Sequence, residues 1–307
     1  MKQDQGQDKV FNRRAAILAA GQITVFAGLS ARMYYLQVLE ADRYRVLAEE
    51  NRISLRLLPP PRGIIFDRRE MPLAVNVQTY RLVIVPEQAK NVGEMLTRLS
   101  RLVDVGEHER RRVLREVRRR RAFVPITVRE NLSWEEVSRI EVNAPDLPGI
   151  TIDVAQSRHY PYSDVAAHVI GYVAAVSEKE LTGDPVLELP GFRIGKNGIE
   201  RRYDLELRGR AGNTEVEVNA LGRVIREIDR QEGQPGLKIL LTLDIGLQKF
   251  IAERIAGQRR ASVVVMDVQN GEVLGMVSRP GFDPNAFNKG MKVGEWKKLI
   301  GNPDKPL

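Results

Sequence analysis

Apolar residues along this chain change rhythm several times, and each rhythm predicts a different element. The first is a block: Ala15 to Ala31 carries no charged residue, and apolar character resumes after Arg32 as far as Leu39. Such a stretch is long enough to span a bilayer when counted to Leu39, provided that Arg32 snorkels. An arginine at mid-bilayer costs about 3 kcal/mol, so Arg32 belongs near an interface, which Tyr34 and Tyr35 mark as an aromatic belt. Lys9, Arg13 and Arg14 precede the block and predict a cytoplasmic N-terminus with the bulk exported, although Arg43 and Arg45 beyond it weaken the asymmetry. The alternative is a cleaved signal peptide, but the block is too long for one and Gly28-Leu29-Ser30 makes a poor cleavage site. The reading is therefore a tail over 1–14 and an uncleaved anchor over 15–39. Ala41 to Asn51, with Tyr44, Leu47 and Ala48 on one face, predicts a helical continuation outward.

Further along, short strands and amphipathic helices alternate. Ile64 to Phe66 reads as a short buried strand behind the stiff run Pro59 to Pro61, and Thr79 to Val85 as a strand ended by Pro86. Val92 to Val103 and Glu107 to Arg120 follow a helical period, broken at Val105-Gly106. Ser133-Trp134-Glu135-Glu136 is a capping box opening a helix to about Asn143, which Pro145 and Pro148-Gly149 end. Strands are expected at Ile150 to Val154, Val216 to Val218, Arg223 to Ile228 and Leu237 to Leu243. Asp244 caps a helix over Ile245 to Ala256, with Leu247, Ile251 and Ile255 on one face. Ser262 to Val268 and Glu272 to Ser278 form a hairpin through Asn270-Gly271.

The chain has 307 residues, enough for two domains, and its 43% hydrophobic and 29% charged content is that of a folded protein. It has no cysteine, which excludes disulfides and thiolate metal sites, and its three histidines, His108, His159 and His168, lie far apart. His168 sits among alanines with no serine or acid placed for it to activate, so a structural role is expected. Neither a metal nor a cofactor is implied. The net charge of +8 stems largely from eight arginines between Arg110 and Arg121. Val113, Leu114 and Val117 give that segment one apolar stripe, and Glu107, Glu109 and Glu116 dilute its charge. A solvated amphipathic helix, a dock for anionic lipid or an acidic partner, and a nucleic-acid surface remain open. The lack of aromatic interleaving argues against the last.

Three blocks carry more specific information. The first is Arg62-Gly63-Ile64-Ile65-Phe66-Asp67-Arg68, where Gly63 allows a close backbone approach and Asp67 between arginines can take a bidentate guanidinium bond. The second is Arg158-His159-Tyr160-Pro161 followed by Ala166 to Val173, with His168 and Gly171 within it. The third runs from Gly195-Lys196-Asn197-Gly198-Ile199-Glu200 to Leu207-Arg208-Gly209-Arg210-Ala211-Gly212. Gly191 to Lys196 is one residue short of a phosphate-binding loop and lacks the following Ser or Thr. Together, in this order, the blocks resemble class B penicillin-binding proteins, the cell-wall transpeptidases. The family commonly has Asn-Gly after the first block, where this chain has Arg69-Glu70, which leaves the turn type open; Leu73 to Asn76 and Tyr80 still fit. Leu237 to Asn285 and Trp296 to Leu307 resemble the opening of the transpeptidase fold.

The resemblance, of the elongation type (penicillin-binding protein 2), implies an α+β protein. After a single N-terminal transmembrane helix it would have an elongated, mostly β pedestal or dimerisation domain with a helical head insertion over 40–235. Residues 236–307 would begin an antiparallel-sheet penicillin-binding transpeptidase domain. It implies a structural role for Arg62, Gly63, Asp67, Arg68, Tyr160, Gly171, Gly198, Glu200, Arg208 and Gly209, with Glu200 paired to an arginine such as Arg208. For a complete enzyme it implies peptidoglycan D,D-transpeptidase activity in elongation and cell shape, on D-Ala-D-Ala stem peptides, through an acyl-serine that β-lactams trap. Expected partners are peptidoglycan stems, a membrane-embedded glycosyltransferase of the shape, elongation and division (SEDS) type, other elongation-complex proteins and the bacterial inner membrane, with the bulk in the periplasm. The nucleophile is missing: none of the ten serines has lysine three residues later. The expectation is a chain cut before its catalytic serine, with two rivals: a non-catalytic membrane-anchored scaffold, and a division-type relative or a resistance-type transpeptidase with a different pedestal.

Overall fold

The computed structural model describes residues 4–40, 53–89, 91–189, 191–219, 223–288, 290–291 and 293–306. In chain order the elements are α1 (Asp4–Tyr34), β1 (Ile53–Leu58), β2 (Ile65–Phe66), β3 (Pro72–Ile84), α2 (Val92–Leu99), α3 (Glu107–Arg119), β4 (Ile126–Leu132), α4 (Trp134–Val142) and β5 (Ile150–His159). There follow α5 (Ala167–Ile170), β6 (Val173–Ala175), β7 (Arg193–Gly195), α6 (Gly198–Arg202), α7 (Asp204–Arg208), β8 (Gly212–Val218), β9 (Val224–Gln231) and β10 (Ile239–Leu240). The chain then forms α8 (Ile245–Arg254), β11 (Ala261–Met266), β12 (Val273–Arg279), α9 (Asn285–Asn288) and α10 (Val293–Ile300). This is the α+β mixture expected. The helix predicted for Ala41 to Asn51 lies outside the described residues.

Two compact units divide the chain: Met1–Arg56 with Thr214–Asp229, and Leu57–Asn213 with Arg230–Leu307. The first holds α1, a π-helical turn at Tyr35–Leu39 and most of a three-stranded sheet in the order β1-β8-β9. Leu18, Ile23, Phe26 and Leu29 on α1 are all more than half exposed. Among the described residues no helix is long and apolar enough to cross a membrane. Gly21, Gln22, Thr24, Gly28 and Ser30 dilute the apolar block, so the helix forms as expected while the span is not confirmed.

In the second unit β3 is the spine of a five-stranded sheet ordered β10-β2-β3-β4, with β5 also paired to β3. β3 and β5 run antiparallel without a break from Val75 opposite His159 to Ile84 opposite Ile150. Both strands outrun the predicted Thr79 to Val85 and Ile150 to Val154, because ladder hydrogen bonds hold residues whose own alternation is poor. One core lies between this sheet and α2, α3 and α4, built from Leu82, Ile84, Leu96, Leu99, Val113, Ile126, Val128 and Val137. A second gathers Ile65, Leu73, Tyr160, Ile170, Leu207 and Ile245. Local signals held well. Ser133 Oγ accepts from the amide of Glu136, whose carboxylate takes the amide of Ser133. Asp244 accepts from Gly246 and Leu247 at the start of α8.

Three local features differ from expectation. Of the predicted strand Leu237 to Leu243 only Ile239–Leu240 is regular strand, parallel to Ile65–Phe66. The hairpin of β11 and β12 forms, but its loop is longer than a two-residue Asn-Gly turn: the Asp267 amide donates to the Glu272 carbonyl at 2.9 Å. Asp267 and Asn270 carboxyl and amide oxygens bond the amides of Gln269 and Glu272, favouring the wider turn. After Asp67 the chain turns with Glu70, which is exposed, at φ 60°. A side chain there costs roughly 1–2 kcal/mol, so Glu70→Gly is expected to raise stability by about 0.5–1 kcal/mol in urea unfolding, after the larger entropy of the unfolded glycine is subtracted.

Candidate functional site

The site is assembled around Glu200, near the start of α6 and fully buried. Asn197 caps this short helix by accepting from the amide of Gly198. Arg62 Nε donates to Glu200 Oε2 and Arg158 Nε to Oε1, both at 2.7 Å. Tyr160 Oη lies 3.3 Å from Oε1 and itself accepts from the amide of Val173. Arg62 Nη2 reaches the Glu200 carbonyl and, at 2.9 Å, Asp204 Oδ1. Arg158 Nη1 donates to the Gly63 carbonyl at 2.7 Å and to Asn76 Oδ1 at 3.1 Å, while the amide of Asn76 bonds the Arg62 carbonyl. Segments far apart in sequence thus close on one carboxylate.

Arg208 was expected to be the partner of Glu200, and the structure corrects this. Its guanidinium meets Asp204 Oδ2 at 2.6 Å and Asp184 Oδ2 at 2.8 Å. Arg208 sits on α7 one turn after Asp204, so the helix itself delivers it to that carboxylate. Asp67 also departs from expectation: among the described residues it holds no guanidinium. Its Oδ1 accepts the amides of Arg69 and Met71, both at 2.8 Å, and its Oδ2 the amide of Ile245 at 3.1 Å. The buried carboxylate therefore closes the turn and also faces the N-terminus of α8, where helix amides favour negative charge. The flanking arginines go elsewhere. Arg68 lies 3.6 Å from Glu272 and Arg69 2.9 Å from Asp244.

Two of the glycines hold backbones together. A Cβ on Gly63 would sit 1.9 Å from the Leu237 carbonyl oxygen, and one on Gly171, at φ 79°, equally close to that of Asn197. Residues 61–68 and 236–243 are zipped by amide-to-carbonyl bonds from Gly236 to Pro61, Ile239 to Ile64, Leu241 to Phe66 and Arg68 to Leu243. Gly198 lies against Val169 and Gly171, and Gly209 ends α7 against Gln234 to Gly236.

The arrangement is built to hold, and acid–base exchange is not what it offers. Burial alone would lower the Arg62 pKa, but Glu200 and Asp204 outweigh it and raise it. Tyr160 is pushed well above the usual tyrosine value, first by burial and then by the charge of Glu200, so it stays a donor at neutral pH. Arg62, Arg158 and Arg208 balance Glu200, Asp204 and Asp184. Taking such charges out of water costs several kcal/mol each, and what the pairs return most surely is one defined geometry. His168 fills a structural place: Nε2 lies 3.0 Å from the Pro306 carbonyl and its ring meets Phe282 edge-on. Among the described residues no group of three His, Asp or Glu side chains could hold a metal ion.

Sequence reasoning missed the asparagine clamp. Asn285 brackets Tyr160, accepting from its amide at 2.9 Å and donating to its carbonyl at 3.0 Å. Asn288, buried, donates to the Arg158 carbonyl, and its own carbonyl accepts from Asn131 and Arg193. The segment after β12 is thereby fastened to the strand end carrying Arg158 and Tyr160. Only Asp283-Pro284-Asn285, a turn signal, marked the place.

At the edge of the site Glu180 accepts from Lys196 and from the hydroxyl and amide of Ser177. These bonds, that of Lys196 foremost, lower its pKa to about 2 from 4.5. A carboxyl depressed in the folded state contributes stability above its unfolded pKa, and loses it as pH falls through the folded value. Its side chain is part-exposed and screened by solvent. We expect a small, salt-sensitive loss of stability between pH 4.5 and about 2, with the Glu180 carboxyl carbon resonance titrating near the lower value.

Most of the contacts of this sheet and joint fall inside a single family match. The family model described as the penicillin-binding protein dimerisation domain matches residues 57–241, and the chain belongs to that family. Over 306 residues it is 38% identical to the peptidoglycan D,D-transpeptidase MrdA of Escherichia coli, covering 98% of this chain and 48% of the relative. The MrdA of Haemophilus influenzae is 35% identical, over 97% of this chain and 46% of its own. Among solved structures, the complex between penicillin-binding protein PBP2 and MreC from Helicobacter pylori matches with a TM-score of 0.68 at 25% identity, covering 83% of this chain and 48% of that one. The chain spans about half the length of the curated relatives it matches.

Proposed function

We propose that this chain is the pedestal of a peptidoglycan D,D-transpeptidase of cell-wall elongation, together with the opening of its catalytic domain. What supports this most is the match to MrdA relatives over nearly all of the chain, joined to a buried hub that locks residues 61–68 and 158–160 to the segment after residue 236. In this reading residues 40–235 are the pedestal and 236–307 belong to the transpeptidase domain. Arg62, Gly63, Asp67, Arg68, Tyr160, Gly171, Gly198, Glu200, Arg208 and Gly209 are joint residues. The hub fixes the orientation in which the catalytic domain is presented, and acyl transfer to a serine is left to residues outside these 307. The substrates of the whole enzyme are peptidoglycan stem peptides.

The same reading makes residues 15–39 a single-pass anchor in the bacterial inner membrane, with the remainder in the periplasm. Exposed apolar side chains of α1 from Leu18 to Leu29 support the anchor, and Lys9, Arg13 and Arg14 ahead of residue 15 in the sequence support that orientation. The PBP2 of Helicobacter pylori forms a complex with MreC, and we extend elongation-complex partners of that kind to this protein, with a SEDS-type glycosyltransferase contacting the surface around Arg62 to Tyr80. The deciding experiment reads the source genome beyond the Leu307 codon, then labels the product of the whole reading frame with fluorescent penicillin. An in-frame Ser-x-x-Lys and a labelled band support the enzyme. A verified stop codon, or a full-length product that resists labelling, would leave a scaffold without a nucleophile.

A further inference from the structure

Residues 302–306 lie outside any helix or strand, yet they are fastened at two points. Asp304, on the turn that follows α10, accepts from Arg259 Nε at 3.0 Å and from Arg260, whose Nη2 also reaches the Pro303 carbonyl at 3.1 Å. Asn302 shapes the turn: its side-chain oxygen takes the amide of Asp304 and its carbonyl that of Lys305. Next, the buried Pro306 presents its carbonyl to His168 Nε2 at 3.0 Å. A carbonyl only accepts, so Nε2 carries the proton and donates it. Between the two anchors Lys305 sits at φ 45°, a left-handed state that a side chain disfavours and that persists where its surroundings impose it.

The second anchor leads back to the hub. His168 lies on α5, the four-residue helix that Gly171 ends. Gly171 rests against the carbonyl of Asn197, the residue that caps α6 and so sets Glu200. One short element therefore touches the hub at its C-terminal end and holds the chain at Pro306 through its second residue. Phe282, itself buried, meets the His168 ring edge-on at 5.5 Å and restricts its rotation. Phe282 is held in turn by Tyr172 and Phe287, whose rings stack at 3.7 Å.

We propose that His168 is a positioning residue: through Pro306 it passes the placement of the Glu200 hub to the chain that continues beyond residue 306, with Arg259, Arg260 and Asp304 as the second fixed point. Two anchors around Lys305 set a direction as well as a place, where a single anchor would let the chain pivot. The proposal rests on the function given above, in which the acyl-accepting serine belongs to that continuing chain. For such a serine the aim matters, since a displacement of about 1 Å can cost about a hundredfold in rate.

The test times acylation of the product of the whole reading frame by fluorescent penicillin, scoring the rate constant separately from the fraction finally labelled. His168→Ala is expected to slow the rate constant about tenfold while labelling still runs to completion, because the protein stays folded but its serine is misaimed. His168→Gln, whose side-chain amide offers an N–H to the Pro306 carbonyl, should return the rate to within about twofold of the parent. Gly183→Ala removes stability at a site with nothing nearby and should leave the rate constant alone. A parent-like rate in His168→Ala would overturn the proposal. So would equal slowing in the alanine and glutamine variants, or slowing in Gly183→Ala, because the hydrogen bond would then not be the agent. A parent product that takes up no penicillin sinks the proposed function instead, and the positioning is then read by hydrogen exchange in the 307-residue chain. There the amides of Asp304 and Lys305 should exchange about fivefold faster in His168→Ala than in the parent or His168→Gln, and equal exchange would overturn the anchor itself.

Discussion

Glu200→Gln is expected to destabilise the second unit by about 3–5 kcal/mol, the cost of leaving a buried charge uncompensated when its partner is removed. The amide keeps the volume of the carboxylate, so packing is not the variable. What changes is that Arg62 and Arg158, at 11% and 2% side-chain exposure, lose the anion that lies 2.7 Å from each. Asp204 still serves Arg62, whereas Arg158 keeps only the Gly63 carbonyl and Asn76. The larger share of the loss should therefore pass through Arg158. The arms are urea unfolding and limited proteolysis between residues 158 and 236. An unchanged midpoint and an unchanged cleavage pattern would remove Glu200 as the fastening point. A variant that unfolds earlier and is cut near 236 would place the joint where the geometry has it.

Gly171→Ala is expected to cost about 3 kcal/mol or more, from a backbone state that is essentially glycine-only combined with a clash. Gly171 has φ 79° and ψ −155°, and its added Cβ would lie 1.9 Å from the Asn197 carbonyl oxygen, which is backbone and cannot swing aside. Moving Asn197 would displace the cap of α6 and with it Glu200. Gly183→Ala is the internal control: φ is 87°, but nothing lies within 4 Å of the new methyl group. It should cost only the conformational part, roughly 1–2 kcal/mol. Thermal midpoints of the two variants separate strain from steric exclusion. Equal midpoints would mean that the close approach of Gly171 to Asn197 contributes nothing.

Both predictions rest on groups that sequence reading singled out, though it misassigned some of their contacts. Glu200 was expected to be paired and is, but with Arg62 and Arg158 rather than Arg208. The reason is geometric: α7 carries Arg208 to Asp204 one turn earlier, and no sequence pattern shows which of several arginines a fold will bring past a carboxylate. Asp67 was read as a guanidinium acceptor because arginines flank it. In the fold the chain turns immediately afterwards, and its own amides reach the carboxylate before any side chain does. Neither Asn285 nor Asn288 was read as a clamp. An asparagine that clamps a backbone looks, in sequence, like any turn asparagine.

By itself the sequence determined what short-range physics controls. The caps at Ser133 and Asp244, the break at Gly106, the hairpin after Met266 and the inward stripe of α3 depend on hydrogen bonds and apolar spacing within a few residues. Gly63 and Gly171 in the sequence also allow close backbone approaches that a side chain would block. Only the tertiary structure decided that Glu200 closes on Arg62 and Arg158, which lie 138 and 42 residues away. The burial of Asp67 against the start of α8 was settled at the same level. Contacts of that range form only once the sheet has brought its strands together, because their closing entropy is repaid by cores that no single segment contains.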